Sequence, residues 1–581
     1  MQRVETDVLI VGSGPAGAAA ALALSTYGVP NMVVTRHGAL ADTPRAHITN
    51  QRTMEVLRDL GVEDEVAAKA TPQHLMGSTP FCTSLAGEEL GRVRSWGNDP
   101  HIQAAHELAG PSRMCDMPQN LMEPVLVDAA VARGSALRFH TEYLSHEQDG
   151  EGVTAVVKDR LRGDSYEIRA KYLIGADGGR SRVAEDLALP TRGQMGVAGA
   201  LNIVFEADLT AYTAHRPSIL YWVIAPSATV GGIGAGTVRC VRPWTEWMAI
   251  WGYNLEDGPP ELTDEYATAI VHRLIGDDTV PVTIKSTSAW TVNHLYAERY
   301  SDRRVLCAGD AVHRHPPSNG LGSNTSIQDS YNLAWKLKLV LDGVASPALL
   351  DTYDEERAPI GAQIVERANR SIAETAPIFD ALDLTGVGTD ELERRLETRK
   401  DATEEGALKR ARLRDAIAAK VYEFNAHGVD MNHRYTSAAV VPDGTEDPGY
   451  ERDPELYFQP TTRPGARLPH AWLTSGRRTL STLDLGGRGQ FSIITGVGGE
   501  CWTRAAQEAA REFGCEITTA VIGPGQEYED PYGDWARLRG TEDAGCLLVR
   551  PDNHIAFRFP GADSGAEKLL AAALRHILGR N

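Results

Sequence analysis

The chain lacks most of the features that would point away from a small-molecule enzyme. Its seven cysteines, Cys82, Cys115, Cys240, Cys307, Cys501, Cys515 and Cys546, are scattered, and no two stand as Cys-x-x-Cys. A metal framework or disulfide scaffold is therefore not expected, and buried reduced thiols are. No apolar stretch is long enough to span a membrane, and the opening Met1-Gln2-Arg3-Val4-Glu5 does not read as a signal peptide. A cytoplasmic protein is expected. Basic residues are in deficit, 58 Lys and Arg against 78 Asp and Glu. The net charge of −20 argues against nucleic acid and anionic membrane as partners and leaves a small neutral ligand open. Repeats and low-complexity runs are absent. The length, 581 residues, exceeds one ordinary core, which implies roughly two to four domains.

Three stretches carry positive information. The first is Asp7-Val8-Leu9-Ile10-Val11-Gly12-Ser13-Gly14-Pro15-Ala16-Gly17. An apolar run of strand length ends at Gly12, and good helix formers run from Ala18 to Leu24. Strand, tight turn and helix form the context a dinucleotide fingerprint requires. Gly12 permits the turn, Gly14 lets the backbone approach a pyrophosphate, and Gly17 lets helix and strand pack closely. The helix N-terminus offers its N–H groups and positive dipole end to the phosphates. An acidic residue is expected about 20 residues on to hold a ribose. Here the strand Asn31-Met32-Val33-Val34 ends in Thr35-Arg36. Thr35 can still bond a ribose, and Arg36 can stack on adenine or reach a phosphate, including a 2′-phosphate.

The second stretch is a strand over Ala170 to Ile174 closing on Gly175-Ala176-Asp177-Gly178, and the third a strand over Arg304 to Ala308 closing on Gly309-Asp310. A turn rich in proline and glycine, Pro316 to Gly322, then leads into an amphipathic helix with Ile327, Tyr331, Ala334 and Leu337 on one face. A strand-end Asp can accept from a ribitol hydroxyl or simply cap a helix. The helix after the turn can direct its N–H groups at a flavin's pyrimidine edge, which becomes anionic on reduction. Taken in this order, the three stretches point to one noncovalent FAD rather than NADP.

With these residues in view, the chain resembles the class A FAD-dependent aromatic hydroxylases, in particular the phenol hydroxylase group. Pro44 to Glu55, Pro111 to Gln119, Gly309 to Leu337, and the region from Arg463-Pro464-Gly465 to Asp552 carry the match, which covers nearly the whole chain. Two positions depart from the family pattern. Ala184 stands where an Arg is usual, so Arg180 or Arg182 would have to substitute, and the usual glycine pair is Asn319-Gly320. Asn tolerates left-handed backbone angles, so the turn is expected to survive.

The resemblance implies an α/β fold in which a Rossmann-like FAD-binding domain is interleaved with a β-sheet substrate domain and followed by a thioredoxin-like domain. The expected divisions are 1–190 with 291–364 for FAD, 191–290 with part of 75–120 for the sheet, 365–445 for a helical linker and 446–581 for the last domain. Strand signals at Leu201 to Phe205, Leu220 to Ile224 and Trp247 to Trp251 agree with the sheet, and the region from Glu366 to Ala426 reads as charged helix. From Pro464 onward, strands at Phe491 to Gly496, Ile517 to Val521 and Cys546 to Val549 surround a helix from Thr503. The redox Cys pair of a thioredoxin is missing, so this domain reads as structural.

The implied chemistry is hydroxylation of a substituted phenol ortho to its OH, giving a catechol, with NADH or NADPH and O2 as co-substrates and a flavin C4a-hydroperoxide as oxidant. There is no second fingerprint for the nicotinamide, which fits a family that binds it transiently. The phenol must be deprotonated and water kept out. His47 is the candidate base, Asp116 its candidate partner and Arg239 a further catalytic candidate; Arg242 is an alternative to Arg239. Carried onto this sequence, the resemblance sets FAD against Gly12, Gly14, Pro15, Ala16, Gly17, Thr35, Arg36, Arg45, Gln119, Leu144, Asp177, Asp310, Pro317, Gly320, Leu321, Gly322 and Asn324. It sets substrate against Asn202, Val204, Trp222 and Pro316. His313 and His315 read as shaping the turn. A homo-oligomer is expected. Two other readings stay open: a tailoring hydroxylase of a polycyclic aromatic, and a non-catalytic FAD-binding interaction protein.

Overall fold

Val8 to Val11, apolar and flanked by turn residues, form the last half of a nine-residue strand, Arg3–Val11, at the heart of the first sheet. The computed structural model describes residues 3–225, 235–384 and 389–580, so Met1 and Gln2 of the charged opening lie outside them. Arg3–Val11 runs parallel to Asn31–Val34 on one side and to Ser165–Gly175 on the other, and Val305–Cys307 lies parallel beyond that. The registers pair Val11 with both Val34 and Gly175, and Gly175 with Cys307. All three motif turns therefore leave the sheet at one level, at the carboxyl ends of parallel strands, where open α/β sheets bind ligands. The helices Pro15–Thr26 and Gly322–Leu341 pack together over this sheet. The alanine run from Ala18 to Ala23 keeps that approach close, and Ser330 Oγ donates to Ala16 O at 2.7 Å.

The second sheet has eight strands, in the order His313–Arg314, Thr283–Ala297, Thr191–Glu206, Glu246–Tyr253, Ala235–Arg242, Leu220–Ile224, Ser78–Cys82 and Glu89–Arg94. Strand alternation divides its side chains. Leu201, Ile203, Phe205, Val238 and Ala249 share a buried cluster with Ala267, Ile270, Val271 and Leu274 of the helix Asp264–Ile275. Asn202, Val204, Trp222, Thr237 and Arg239 alternate with these residues and take the other face. Strand Thr283–Ala297 runs through the boundary expected at 290, and helix Asp351–Ala373 through that at 364, because each element serves both neighbouring units.

The C-terminal sheet, ordered Ile517–Ile522, Phe491–Gly496, Cys546–Val549 and Ile555–Phe559, has one parallel pair followed by two antiparallel ones. Helix Glu500–Phe513 begins three residues before the expected Thr503 and packs on Ala566–Ile577. Cys501, Cys515 and Cys546 are all free.

A buried charge cluster fastens this unit to the FAD-binding helices. Arg550 donates to both carboxylate oxygens of Glu356 at 2.5 and 2.8 Å, and Lys336 Nζ donates to Glu356 Oε2 at 2.9 Å. Asp552 takes two further bonds from Arg550. Burial pushes the Glu356 carboxyl up, but Arg550 and Lys336 outweigh it and hold the group below the usual carboxylate range. Replacing Glu356 with Ala leaves two cations buried with one carboxylate between them. A loss of about 3–5 kcal/mol in chemical denaturation is expected, and a loss under about 1 kcal/mol would show that the cluster does not hold the seam.

Candidate active site

The glycines of the first turn fall into two kinds. A Cβ added to Gly12, at φ +108°, would stand 2.2 Å from Ala176 O, and one on Gly17 would stand 1.9 Å from Gly12 O. The fold itself demands both. A Cβ on Gly14 would meet only Glu123 Oε1, at 3.9 Å, and the backbone there (φ −67°) suits any residue. The space beside Gly14 is thus not filled by the protein. No side chain caps the helix that follows, so the N–H groups of its first turn stay available.

This space opens into a cavity of about 490 Å³ lined by Gly12, Gly14, Thr35, Arg36, Arg45, Gln119, Glu123, Tyr143, Asp177, Arg180 and Arg182, among others. Four arginines around one cavity, in a chain of charge −20, suit an anionic ligand. The donors, the bare helix end and the empty side of Gly14 fit the pyrophosphate and adenosine of FAD. Arg180 and Arg182 both reach the cavity, while Ala184 is buried in a short helix. Asp177 lines the cavity and also caps that helix, accepting from Ser181 Oγ at 2.5 Å and Arg182 N at 2.8 Å. Pro15, Ala16 and Gly17 form the helix start. Thr141, Glu142 and Tyr143 line the cavity, and Leu144, the next residue of the strand, does not. Glu123 was missed, although it stands one helical turn from Gln119 and accepts from its Nε2 at 2.6 Å.

At the third turn, Asn319 and Gly320 both adopt left-handed angles, φ 64° and 65°. Asp310 is exposed, and its carboxylate makes no hydrogen bond among the described residues. Pro317 precedes the turn, Leu321 is buried, and Gly322 begins a helix without a side-chain cap. Asn324 lies in the first turn of that helix. Its amide donates to Ile48 O at 2.8 Å and Gly320 O at 2.6 Å, and its Oδ1 accepts from Asn50 N at 3.0 Å. It staples the turn to the segment that carries His47, so its side chain is committed within the protein. His313 is fully buried against Asp329, at 2.8 Å, and His315 Nδ1 donates to Pro316 O at 2.6 Å. Both histidines shape the turn, and Pro316 is buried beneath it.

His47 and Asp116, 69 residues apart, are brought together by backbone pairing. Ile48–Thr49 pairs with Cys115–Asp116, Met117 N donates to His47 O at 2.6 Å, and Gln119 N donates to Ala46 O at 2.7 Å. His47 Nδ1 then lies 3.1 Å from Asp116 Oδ2. A ring nitrogen facing a carboxylate carries the proton, which leaves Nε2 as an acceptor without a partner among the described residues. Burial and the nearby Arg239 lower the His47 pKa, and Asp116 opposes them. Arg239 rises from the sheet and is 1 % exposed. Its Nη1 donates to Pro44 O and, at 3.0 Å, to Arg45 O. Burial pulls the guanidinium down to about 10 while Asp116 pulls the other way. Arg242, the alternative, is exposed and pairs with Glu246.

Arg239 shares its sheet face with a cross-strand row formed by Asn202, Ile250, Thr237 and Trp222. Arg239 Nε and Nη2, Thr237 Oγ1, Trp222 Nε1 and Asp116 Oδ1 are all buried without a protein partner. Such atoms cost about 1–3 kcal/mol each when left bare, so their concentration marks a place for a polar ligand or water. Asn202 Oδ1 accepts from Trp290 Nε1 at 3.0 Å, and Val204 packs with Val241 and Met248. Thr237 and the buried Lys420, whose ammonium lies 5.6 Å from the Trp222 ring centre, escaped sequence reasoning. No local pattern marks either one.

Comparison with known proteins agrees with this geometry. Residues 5–368 match the FAD binding domain family, and residues 461–581 match the aromatic-ring hydroxylase C-terminal family. The chain is 55 % identical over 576 residues to 2,4-dichlorophenol 6-monooxygenase of Delftia acidovorans, covering 99 % of this chain and 98 % of that one. It is 50 % identical over 558 residues to phenol 2-monooxygenase of a Pseudomonas strain, covering 96 % and 90 %. Among solved structures, the flavin-dependent monooxygenase PieE, in complex with FAD and substrate, superimposes with a TM-score of 0.95 at 48 % identity over the whole of both chains.

The contrast between the glycines can be tested. Gly14→Ala is expected to leave the thermal midpoint of the apoprotein unchanged while weakening FAD binding by about tenfold or more, or about 1.4 kcal/mol. Gly17→Ala is expected to prevent folding. Fluorescence titration with FAD checks the first, and equal FAD affinity in Gly14→Ala and the parent would refute the assignment.

Proposed function

The chain belongs to the FAD-binding aromatic-ring hydroxylases, and from that premise we propose that it converts a substituted phenol, with O2 and NAD(P)H, into the catechol hydroxylated ortho to the original OH, releasing water and NAD(P)+. The observation that carries this reading is the His47–Asp116 pair seated over Arg239 and beside the row of unpartnered polar atoms. The substrate class follows the activities of the relatives at 50 and 55 % identity. The same relatives argue against a non-catalytic interaction module. NAD(P)H as reductant suits a cytoplasmic setting, and among the described residues no helix is long and apolar enough to cross a membrane.

When bound, FAD supplies the redox chemistry, taking two electrons from NAD(P)H and activating O2. The chain's own residues prepare the phenol. His47 Nε2 accepts the phenolic proton, which raises electron density at the ortho carbon. Asp116 keeps the proton on Nδ1 and stabilises the imidazolium that forms. Arg239 fixes the 44–45 backbone through Nη1, and its remaining donors offer positive charge to the phenolate oxygen. Burial of this sheet face keeps water out of the reaction.

Because the base must be neutral and its pKa is lowered, activity is full above that pKa and falls as pH drops through it. The acid limb of kcat is expected below pH 6.5, the ordinary value for His. His47→Ala is expected to retain FAD, lose about 10²–10⁴-fold in catechol formation, and lose that limb. Asp116→Ala removes the group that raises the His47 pKa, so its acid limb moves further down and its rate at neutral pH falls. Catechol yield and NAD(P)H consumption over a panel of phenols provide the measurement. Normal hydroxylation by His47→Ala would overturn the role given to it, and no response to any phenol would overturn the function.

A further inference from the structure

A second cavity, of about 210 Å³, lies behind the catalytic pair. It is built on a small three-stranded sheet in which Cys115–Asp116 pairs with Ile48–Thr49 on one side and Thr71–Pro72 on the other. Each strand delivers one residue to the cavity wall: Gln51 after the first, Gln73 after the second, and Met114 before the shared one. Asp116 lies on the shared strand, and His47 immediately precedes Ile48–Thr49. The small sheet is therefore a partition, with the proton-accepting pair at one end and this cavity at the other. Both of the sequence runs singled out above, Pro44 to Glu55 and Pro111 to Gln119, contribute to it.

The lining has a definite chemistry. Gln51 is immobilised, since its Nε2 donates to His106 O at 2.8 Å and Ser112 O at 2.9 Å and its Oε1 faces His427 Nε2 at 2.8 Å. His106 stacks on His427 with ring centres 3.8 Å apart and is 8 % exposed. Its Nδ1–Cε1 edge faces Gly97, and its Nε2 has no hydrogen-bond partner. Burial pulls the His106 pKa down to about 4, so the ring is neutral at working pH. With its proton on Nδ1, the neutral ring presents Nε2 as an acceptor for an O–H group. Met114, Pro111 and Trp472 supply apolar walls. The volume is below the roughly 300–1,000 Å³ of sites for drug-sized ligands and suits one aromatic ring. The charged rim pair Glu107–Arg113, at 3.0 Å, is self-neutralised, which leaves no net charge to attract an ion.

We propose that this cavity is a second phenol-binding site, an antechamber in which the neutral substrate waits with its O–H on His106 Nε2 and its ring against Trp472 and Met114, separate from the catalytic seat beside His47. Met114 belongs to the same apolar cluster as Ile48, Trp96 and Trp222, so the antechamber and the substrate face share a wall of side chains. The proposal rests on the phenol hydroxylase reading, and the test separates the two.

The experiment is equilibrium dialysis of radiolabelled phenol against the oxidised holoenzyme without NAD(P)H, with the flavin absorbance recorded in parallel. Two bound phenols per chain are expected, one of which perturbs the flavin spectrum. His106→Ala removes the acceptor, and Gln103→Trp, on an exposed position of the rim, fills the cavity without touching the core. Either variant is expected to bind a single phenol, still with the flavin perturbation. One phenol bound to the parent with the flavin perturbed, or two bound to both variants, overturns the antechamber and leaves the hydroxylase reading standing. No phenol bound and no perturbation overturns both.

Discussion

Everything in this protein depends on a register. Gly175 is level with Val11 in one parallel ladder and with Cys307 in the next. A shift of one residue in either ladder would turn the strand's side chains to the wrong face of a buried sheet. Because that alternative is so unfavourable, three turns from distant parts of the chain open side by side. The cavity beside Gly14 lies where the first two of these turns meet, and the helix Gly322–Leu341 is placed by the same sheet.

The electrostatic design runs against the composition. A chain with 20 excess negative charges concentrates Arg36, Arg45, Arg180 and Arg182 on the cavity beside Gly14. It also buries Arg239 beneath His47 and Asp116. The arginine and the histidine share one neighbouring carboxylate, Asp116. Arg239 makes protonated His47 less favourable, Asp116 makes it more favourable, and burial decides the balance toward the neutral base. A protonation-ready acceptor thereby sits next to unpartnered donors that can receive an anion.

Buried charge serves a different purpose at the seam with the C-terminal unit. There Lys336, Arg550, Glu356 and Asp552 are matched two against two, each joined to the cluster by a hydrogen-bonded ion pair. The active-site groups are left incompletely paired. A satisfied cluster holds structure together, whereas an unsatisfied one is a demand for a ligand.

What the sequence determined by itself was local. The strand, turn and helix around Gly12, the strands Leu220–Ile224 and Phe491–Gly496, and the left-handed pair Asn319-Gly320 follow from propensity, alternation and turn chemistry within a few residues. His47 and Asp116 were legible as candidates through the resemblance, but their 3.1 Å contact arises from pairing between segments 69 residues apart. Only the tertiary structure decided that Tyr143 rather than Leu144 faces the cavity, that Asn324 is a staple, and that Thr237 and Lys420 stand beside Trp222. It also revealed that Gly12 and Gly17 are required by packing while the space beside Gly14 opens on the cavity. These outcomes depend on which face of a strand turns inward and on which distant neighbour fills the space, and no window of a few residues contains that information.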